Sequence, residues 1–204
     1  MRLEQSDERA HETSESGVAA NERLTALTGA LLLVLLGAMG ITVLSVRELL
    51  PQHFVLGFLL IPPLVLKVAS TGYRFVRYYT GDPRYRRAGP PQWPMRLLAP
   101  LVVLSTAVLF VTGLELWLFG LRFGSIWVGA HKLSFIVWLP AAGIHILWYV
   151  SRSAKATREE FASDAPPAAL TRRGLVVGSL VAGAVLALAT LSYQSPFIFF
   201  RDAG

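Results

Sequence analysis

The sequence contains no cysteine among its 204 residues. This absence excludes disulfide bonds, thiolate metal sites, cysteine-ligated iron–sulfur clusters and covalent attachment of c-type haem. A metal group in this chain would have to be held by other side chains, among which neutral imidazole is a good ligand for iron. The chain has 4 histidines.

Charged residues are also scarce, at 16% of the chain, whereas an ordinary soluble domain has roughly a quarter. Hydrophobic residues make up 53%, and the mean hydropathy is +0.51. The apolar residues are concentrated in blocks of about 20 residues, the length that crosses a bilayer as a helix. This pattern predicts an all-α fold, an integral membrane helical bundle with about five transmembrane helices.

The predicted boundaries divide the chain into three parts. Residues 1–23 are polar, show no signal-peptide pattern, and are predicted to form a disordered cytoplasmic tail. Residues 24–193 form the predicted transmembrane bundle, and residues 194–204 form a predicted outward-facing tail. The predicted spans cover approximately residues 24–46, 51–72, 97–118, 126–150 and 175–191.

Basic residues are distributed unevenly. Three Lys and Arg residues lie in the N-terminal segment, six in the connection 73–96 and five in the connection 151–173, all on one side of the predicted bundle. Because cytoplasmic loops carry an excess of Lys and Arg, we expect a bacterial cytoplasmic membrane protein with its N-terminus inside and its C-terminus outside. The net charge of +6 belongs to loops beside apolar blocks, so it indicates contact with membrane lipids rather than nucleic acid.

Three histidines lie within the predicted spans, where ionisable side chains are costly and usually functional. His131 and His145 are 14 residues apart on the fourth span, so they share one helix face and are separated by roughly 21 Å along the axis. His53 opens the second span, which runs parallel to the fourth, and Lys67 follows His53 by the same 14 residues. The spacing predicts an outer pair, His53 and His131, and an inner pair, Lys67 and His145.

Two facing histidines in an apolar bundle are typical of a haem site, because haem iron takes two axial ligands. We therefore expect haem b between His53 and His131, with His145 as a further candidate ligand in an inner layer that would hold a second haem or a quinone. Zinc is disfavoured, since it normally has three or four ligands. Residues expected to give the ring space or to pair with its propionates are Gly57, Gly129, Arg47, Arg122 and Lys132.

Each of these residues also has a purely structural interpretation. The histidines could be core side chains bonded to backbone carbonyls. Lys67 could extend its ammonium to the cytoplasmic headgroups instead of binding a propionate or a quinone oxygen. Glu115, near the outer end of the third span, could reach the interface or accept a proton at a quinol site.

Residues 48–150 resemble the bacterial cytochrome b561-like membrane proteins, a superfamily that includes the cytochrome b subunits of formate dehydrogenase and hydrogenase. The resemblance is carried by His53 at the head of one span and by His131 and His145, with thirteen residues between them, in a later parallel span. The segments KVASTGYRFVRYYTGDPRYRRAGPP, RLLAPLVVLST and HKLSFIVWLPAAGIH are similar to actinobacterial cytochrome b domain proteins, which often accompany molybdopterin oxidoreductases. The resemblance implies a four-helix haem-binding core. Its di-haem members supply four histidines, and the spans of this chain supply three.

These features predict a haem-b electron-transfer membrane subunit that exchanges electrons between the quinone pool and a partner redox protein. The resemblance implies a molybdopterin enzyme as that partner, and no catalytic residue is expected in this chain itself. Two alternatives remain open. One is a cofactor-free membrane anchor or assembly protein, and the other is a small proton-coupled transporter that uses His131, His145 and Glu115 as a proton relay.

Overall fold

The computed structural model describes the backbone of residues 2–90, 92–166, 168–193 and 195–198, and within these ranges the side chains from residue 17 onward. The described residues form helices and connecting turns and contain no strand. The helices are α1 (Arg2–Leu44), α2 (Leu50–Tyr79), α3 (Pro83–Arg87), α4 (Trp93–Phe119), α5 (Ile126–Glu160) and α6 (Ala169–Thr190).

Five of the helices, all except the short α3, are long and apolar enough to cross a membrane. The predicted all-α membrane bundle is therefore confirmed, and the chain is a multi-pass membrane protein whose apolar helix faces contact lipid. Two spans begin with a proline in the first turn, Pro51 in α2 and Pro94 in α4, where the missing N–H costs nothing.

Two helices are longer than the predicted spans. The helix α1 begins at Arg2, so the segment predicted as a disordered tail is helical from that residue. Near the end of that segment, the Asn21 side chain donates a hydrogen bond to the Ser70 carbonyl at 3.1 Å. The helix α5 continues to Glu160, because residues after the apolar block, such as Ala154 and Lys155, have high helix propensity.

The predicted outward-facing tail is described only in part, because Gln194 and residues 199–204 lie outside the described residues. Its described portion is attached to the end of α4. The Ser195 hydroxyl donates to the Trp117 carbonyl at 2.8 Å, and just before it the Tyr193 hydroxyl donates to the Leu118 carbonyl at 2.7 Å.

Four helices form a ring. The pairs α1–α2, α1–α5 and α4–α5 are closely packed, and the ring is closed by a lighter contact between α2 and α4. The helices α2 and α5 are not among the closely packed pairs, so they lie on one diagonal of the ring. The helix α6 lies outside the ring against α2 and α1.

The contact between α6 and α2 is a close approach of two backbones. A Cβ atom at Gly183 would overlap the carbonyl oxygen of Leu59, so only glycine fits at this crossing. Small residues are used in this way at helix contacts within membranes, where van der Waals packing drives association.

At one end of the bundle, which we call the arginine-rich end, lie the connections 73–96 and 151–173. Asp82 caps the short helix α3 and is bonded by the Arg84 guanidinium at 3.1 Å and by Arg77 at 2.5 Å. The Glu160 carboxylate at the end of α5 accepts two hydrogen bonds from Arg172 on α6, at 2.7 and 2.9 Å. These ion pairs fix the connections to the ends of the helices.

Candidate functional site

The structure brings His53 and His131 together across the diagonal of the ring. His53 lies in the first turn of α2 and His131 in the second turn of α5, near the end of the bundle opposite the arginine-rich end. Their ring centroids are 6.3 Å apart, and the ring planes are nearly perpendicular, at 86°. Because the backbones of α2 and α5 are not closely packed, the two rings are side chains extended into the interior of the ring.

The His53 ring is held by a threonine of the neighbouring helix α1. Its Nδ1 atom lies 2.9 Å from the Thr42 hydroxyl oxygen, and that hydroxyl donates its own hydrogen to the Met39 carbonyl at 2.7 Å. Because a hydroxyl has one hydrogen to donate, Thr42 accepts the bond from His53. The Nδ1 atom of His53 therefore carries the ring proton.

The His131 ring is held in the same way by α4. Its Nδ1 atom lies 3.1 Å from the Thr112 hydroxyl oxygen and 3.1 Å from the Leu109 carbonyl oxygen. A carbonyl can only accept, so the Nδ1 atom of His131 also carries the ring proton. The two bonded pairs form one layer to which all four helices of the ring contribute.

The Nε2 atoms of the two histidines are then free to bind a ligand. Within the part of the chain whose side chains are described, no hydrogen bond reaches either Nε2 atom. In neutral imidazole with a protonated Nδ1, Nε2 has an unshared electron pair and no hydrogen. Two such nitrogens cannot bond to each other, so each is open to a metal ion or a hydrogen-bond donor.

A glycine that the sequence did not single out lies against this site. A Cβ atom at Gly113 would be 3.1 Å from Cε1 of His131, which is closer than ordinary packing allows. The two glycines predicted to leave space for a cofactor have other surroundings. A Cβ at Gly57 would touch only the end of Met39, at 4.0 Å, and a Cβ at Gly129 would meet nothing within 4 Å.

The cations predicted to lie near the outer histidines are on the protein surface. Arg47 is exposed in the connection between α1 and α2, and Lys132 is exposed on α5. Arg122 is exposed between α4 and α5 and lies over the ring of Phe123, 5.7 Å from its centroid.

The predicted inner pair has a different structure from the outer pair. The Lys67 ammonium donates to the Thr25 carbonyl on α1 at 2.6 Å, and it lies so close to Gly29 that a Cβ there would be 2.9 Å from Nζ. His145 is within electrostatic range of Lys67, and its ring is 5.0 Å from that of Tyr149. Lys67 therefore fills the space between α2 and α1 in this layer.

Polar side chains continue from Lys67 along the interface of α1 and α2. The Thr25 hydroxyl donates to the Ser70 hydroxyl at 2.9 Å, and Ser70 donates to the Lys67 carbonyl at 3.0 Å. By contrast, the Nδ1 atom of His145 is buried without a hydrogen-bond partner among the described residues. An unpaired buried polar atom is uncommon in proteins, so His145 is the residue of this layer that is available to a bound molecule.

Glu115 is the remaining ionisable residue that the sequence placed inside the membrane. It lies one turn beyond Thr112 on α4, and both of its carboxyl oxygens are buried without a partner among the described residues. The side chain therefore does not reach the surrounding solvent. The interpretation of Glu115 as an interfacial residue requires that it does.

No protein-family model, curated protein or solved structure matches this chain. Interpretation of the site consequently depends on its own geometry. The described residues include no group of three or more His, Asp or Glu side chains that could hold a metal ion, and protein zinc sites normally have that many ligands. The two histidines alone are therefore fewer ligands than a protein zinc site normally has.

Proposed function

We propose that this chain is a haem-b electron-transfer subunit that exchanges electrons between the membrane quinone pool and a partner oxidoreductase. The observation that carries the proposal is the pair of half-buried imidazoles, His53 and His131, which extend from diagonally placed helices and have unused Nε2 atoms. Helical bundles place cofactors in this way, between side chains of facing helices.

His53 and His131 are the residues that would hold the iron. Their ring centroids are 6.3 Å apart, and each ring has an Nε2 atom to which no described residue forms a hydrogen bond. The Nδ1 bonds to Thr42, Thr112 and the Leu109 carbonyl support the same assignment, because metal-bound histidines almost always donate their other N–H to a protein acceptor.

When bound, haem would supply the one-electron chemistry of iron. The residues of this chain would set the conditions for it. His53 and His131 would hold the metal within the bundle, and Gly113 leaves room for the His131 ring. The apolar helices keep water away, and they bring the site close to one end of the bundle, where a partner protein can approach.

One haem is the stoichiometry that we propose. In the inner layer, Lys67 is bonded to the backbone of α1 at the position where a fourth histidine would be needed. We assign that layer to a quinone headgroup, for which the remaining ammonium hydrogens of Lys67 and the unpaired Nδ1 of His145 are suitable partners.

The proposed orientation follows from charge. We place the arginine-rich end in the bacterial cytoplasm, because loops rich in Lys and Arg remain on that side. The outer histidine layer would then lie near the external face, where a molybdopterin enzyme is the partner that the sequence resemblance favours. Arginines of the connection 73–96 would contact anionic lipid headgroups on the cytoplasmic side.

A visible spectrum tests the proposal directly. The purified protein should give the α-band of a b haem in a reduced-minus-oxidised spectrum, and a pyridine haemochrome assay should find one haem per chain. His53→Ala and His131→Ala should each abolish the signal, because each removes an axial ligand. His145→Ala is the matched control and should retain it. A wild-type protein without the band would favour the cofactor-free anchor, and retention of the band in both outer variants would show that the wrong pair was assigned.

A further inference from the structure

Two buried threonines face the two outer histidines. Thr42 lies on α1 and Thr112 lies on α4, the two helices of the ring that do not carry His53 or His131. Thr42 is 4% exposed and Thr112 is 3% exposed. Their hydroxyls lie 2.9 Å and 3.1 Å from the Nδ1 atoms of His53 and His131. The ring of four helices thus contributes two histidines on one diagonal and two threonines on the other.

We propose that Thr42 and Thr112 are positioning residues that hold both histidines in the tautomer with a free Nε2 atom and, when haem is bound, set its reduction potential. The effect on the potential rests on the proposed function. The effect on the tautomer concerns the polypeptide alone and can be tested without any cofactor.

The direction of the effect follows from the hydrogen bonds. Each threonine hydroxyl donates to a carbonyl of its own helix, Met39 for Thr42 and Val108 for Thr112, so its oxygen is left to accept from the histidine. A hydrogen bond that accepts the Nδ1 proton makes the imidazole a more basic ligand. More basic ligands stabilise ferric iron over ferrous iron, so loss of the acceptor raises the reduction potential.

The two threonines are not equivalent. His131 also donates to the Leu109 carbonyl at 3.1 Å, a backbone acceptor that survives replacement of Thr112. Among the described residues, the hydrogen bond of the His53 ring is the one to Thr42. Replacement of Thr42 should therefore have the larger effect, which is a difference that a general loosening of the bundle would not produce.

The experiment compares Thr42→Val and Thr112→Val, which remove the hydroxyl and keep the side-chain shape. We expect Thr42→Val to raise the midpoint potential by the equivalent of a roughly fivefold change in the ferrous-to-ferric ratio, about 40 mV for a one-electron couple. Thr112→Val should cause a smaller rise, and Thr42→Ser should restore the wild-type potential because it retains the hydroxyl.

Matched controls are available on the same two helices. Thr28 on α1 is fully buried, and among the described residues its hydroxyl bonds only the Leu24 carbonyl of its own turn. Ser105 on α4 bonds the Leu101 and Val102 carbonyls in the same way. Thr28→Val and Ser105→Ala should leave the potential unchanged.

A second measurement separates this inference from the proposed function. In haem-free protein labelled with ¹⁵N-histidine, the nitrogen chemical shifts should show His53 and His131 protonated at Nδ1, and Thr42→Val should shift His53 toward a mixture of tautomers. A wild-type apoprotein with Nε2 protonated would overturn the inference even if haem binds. Potentials in Thr42→Val equal to those in Thr28→Val would overturn its electronic part. A protein that has the expected tautomers and does not bind haem would refute the proposed function alone.

Discussion

Replacement of Glu160 by Gln should destabilise the protein far more than the same change at the preceding residue. Glu160 is 0% exposed and Arg172 is 4% exposed, so neither charge can be solvated by water when the other is removed. Their two hydrogen bonds, at 2.7 and 2.9 Å, use both carboxylate oxygens. Glu160→Gln keeps the shape of the side chain and deprives the Arg172 guanidinium of the negative charge that it faces.

The magnitude follows from burial. Breaking a buried ion pair by removing one partner typically costs about 3–5 kcal/mol, because the other charge stays buried after it loses the opposite charge that offset its desolvation. Glu159 provides the control, since it is 44% exposed and pairs at the surface with Arg23 at 3.1 Å. An exposed pair contributes about 0.2–1 kcal/mol, so Glu159→Gln should change stability by no more than that.

The assay is reversible unfolding in mixed micelles, followed by circular dichroism, with the free energy of unfolding compared among the variants. The double replacement Glu160→Met and Arg172→Met should recover most of the loss, because it removes both buried charges at once. If Glu160→Gln and Glu159→Gln lower the free energy of unfolding by equally small amounts, the buried ion pair does not stabilise the contact between α5 and α6 as its geometry indicates.

Two further predictions concern packing and pH. Gly183→Ala should lower the thermal unfolding temperature, because its Cβ would overlap the Leu59 carbonyl oxygen and overpacking costs about 1–3 kcal/mol. Gly178→Ala is the control and should leave that temperature unchanged, because a Cβ there meets nothing within 4 Å. Equal effects of the two variants would contradict the proposed backbone contact. Hydrogen bonds from Arg84, together with the positive charges of Arg77 and Arg84, lower the pKa of Asp82 to about 2. A lowered carboxyl pKa stabilises the fold at pH values above the unfolded pKa of about 4, and this stability is lost as the pH falls toward 2. Pepsin should therefore cleave the connection around α3 faster at pH 2 than at pH 4, measured relative to a reference peptide. The Asp82→Asn variant should be cleaved equally fast at both pH values. A wild-type cleavage rate without this pH dependence would refute the role of the Asp82 carboxylate in holding the connection.

Most of the fold could be predicted because a bilayer imposes a fixed length on apolar segments. The boundaries were less accessible where helices leave the membrane. For α5, the sequence predicts an end near residue 150, but the helix continues to Glu160. The block of apolar residues ends at the membrane, whereas helix propensity and the contact with Arg172 continue beyond it. Hydropathy shows where the apolar block ends, but it does not show helix propensity or the contact with Arg172.

The contact between His53 and His131 could be predicted because both residues lie near the start of their spans. In two parallel spans, such residues lie at the same depth in the membrane. Their hydrogen-bond partners could not be anticipated, since these depend on which helices are neighbours and how each is rotated about its axis. Thr42 and Gly113 carry no sequence signal that separates them from other threonines and glycines of the spans. The Lys67 contact was missed for the same reason, because its partner is the backbone carbonyl of Thr25, an atom that every residue has.

The order of the helices in the ring has a consequence for biogenesis. The hairpin of α1 and α2 already contains His53 and its acceptor Thr42, only 11 residues apart, so this half of the site can form when two spans have been synthesised. The other half requires both α4 and α5, because the His131 ring donates its hydrogen bond to acceptors on α4. The complete histidine layer therefore forms only after α5, the last helix of the ring in chain order, has been inserted.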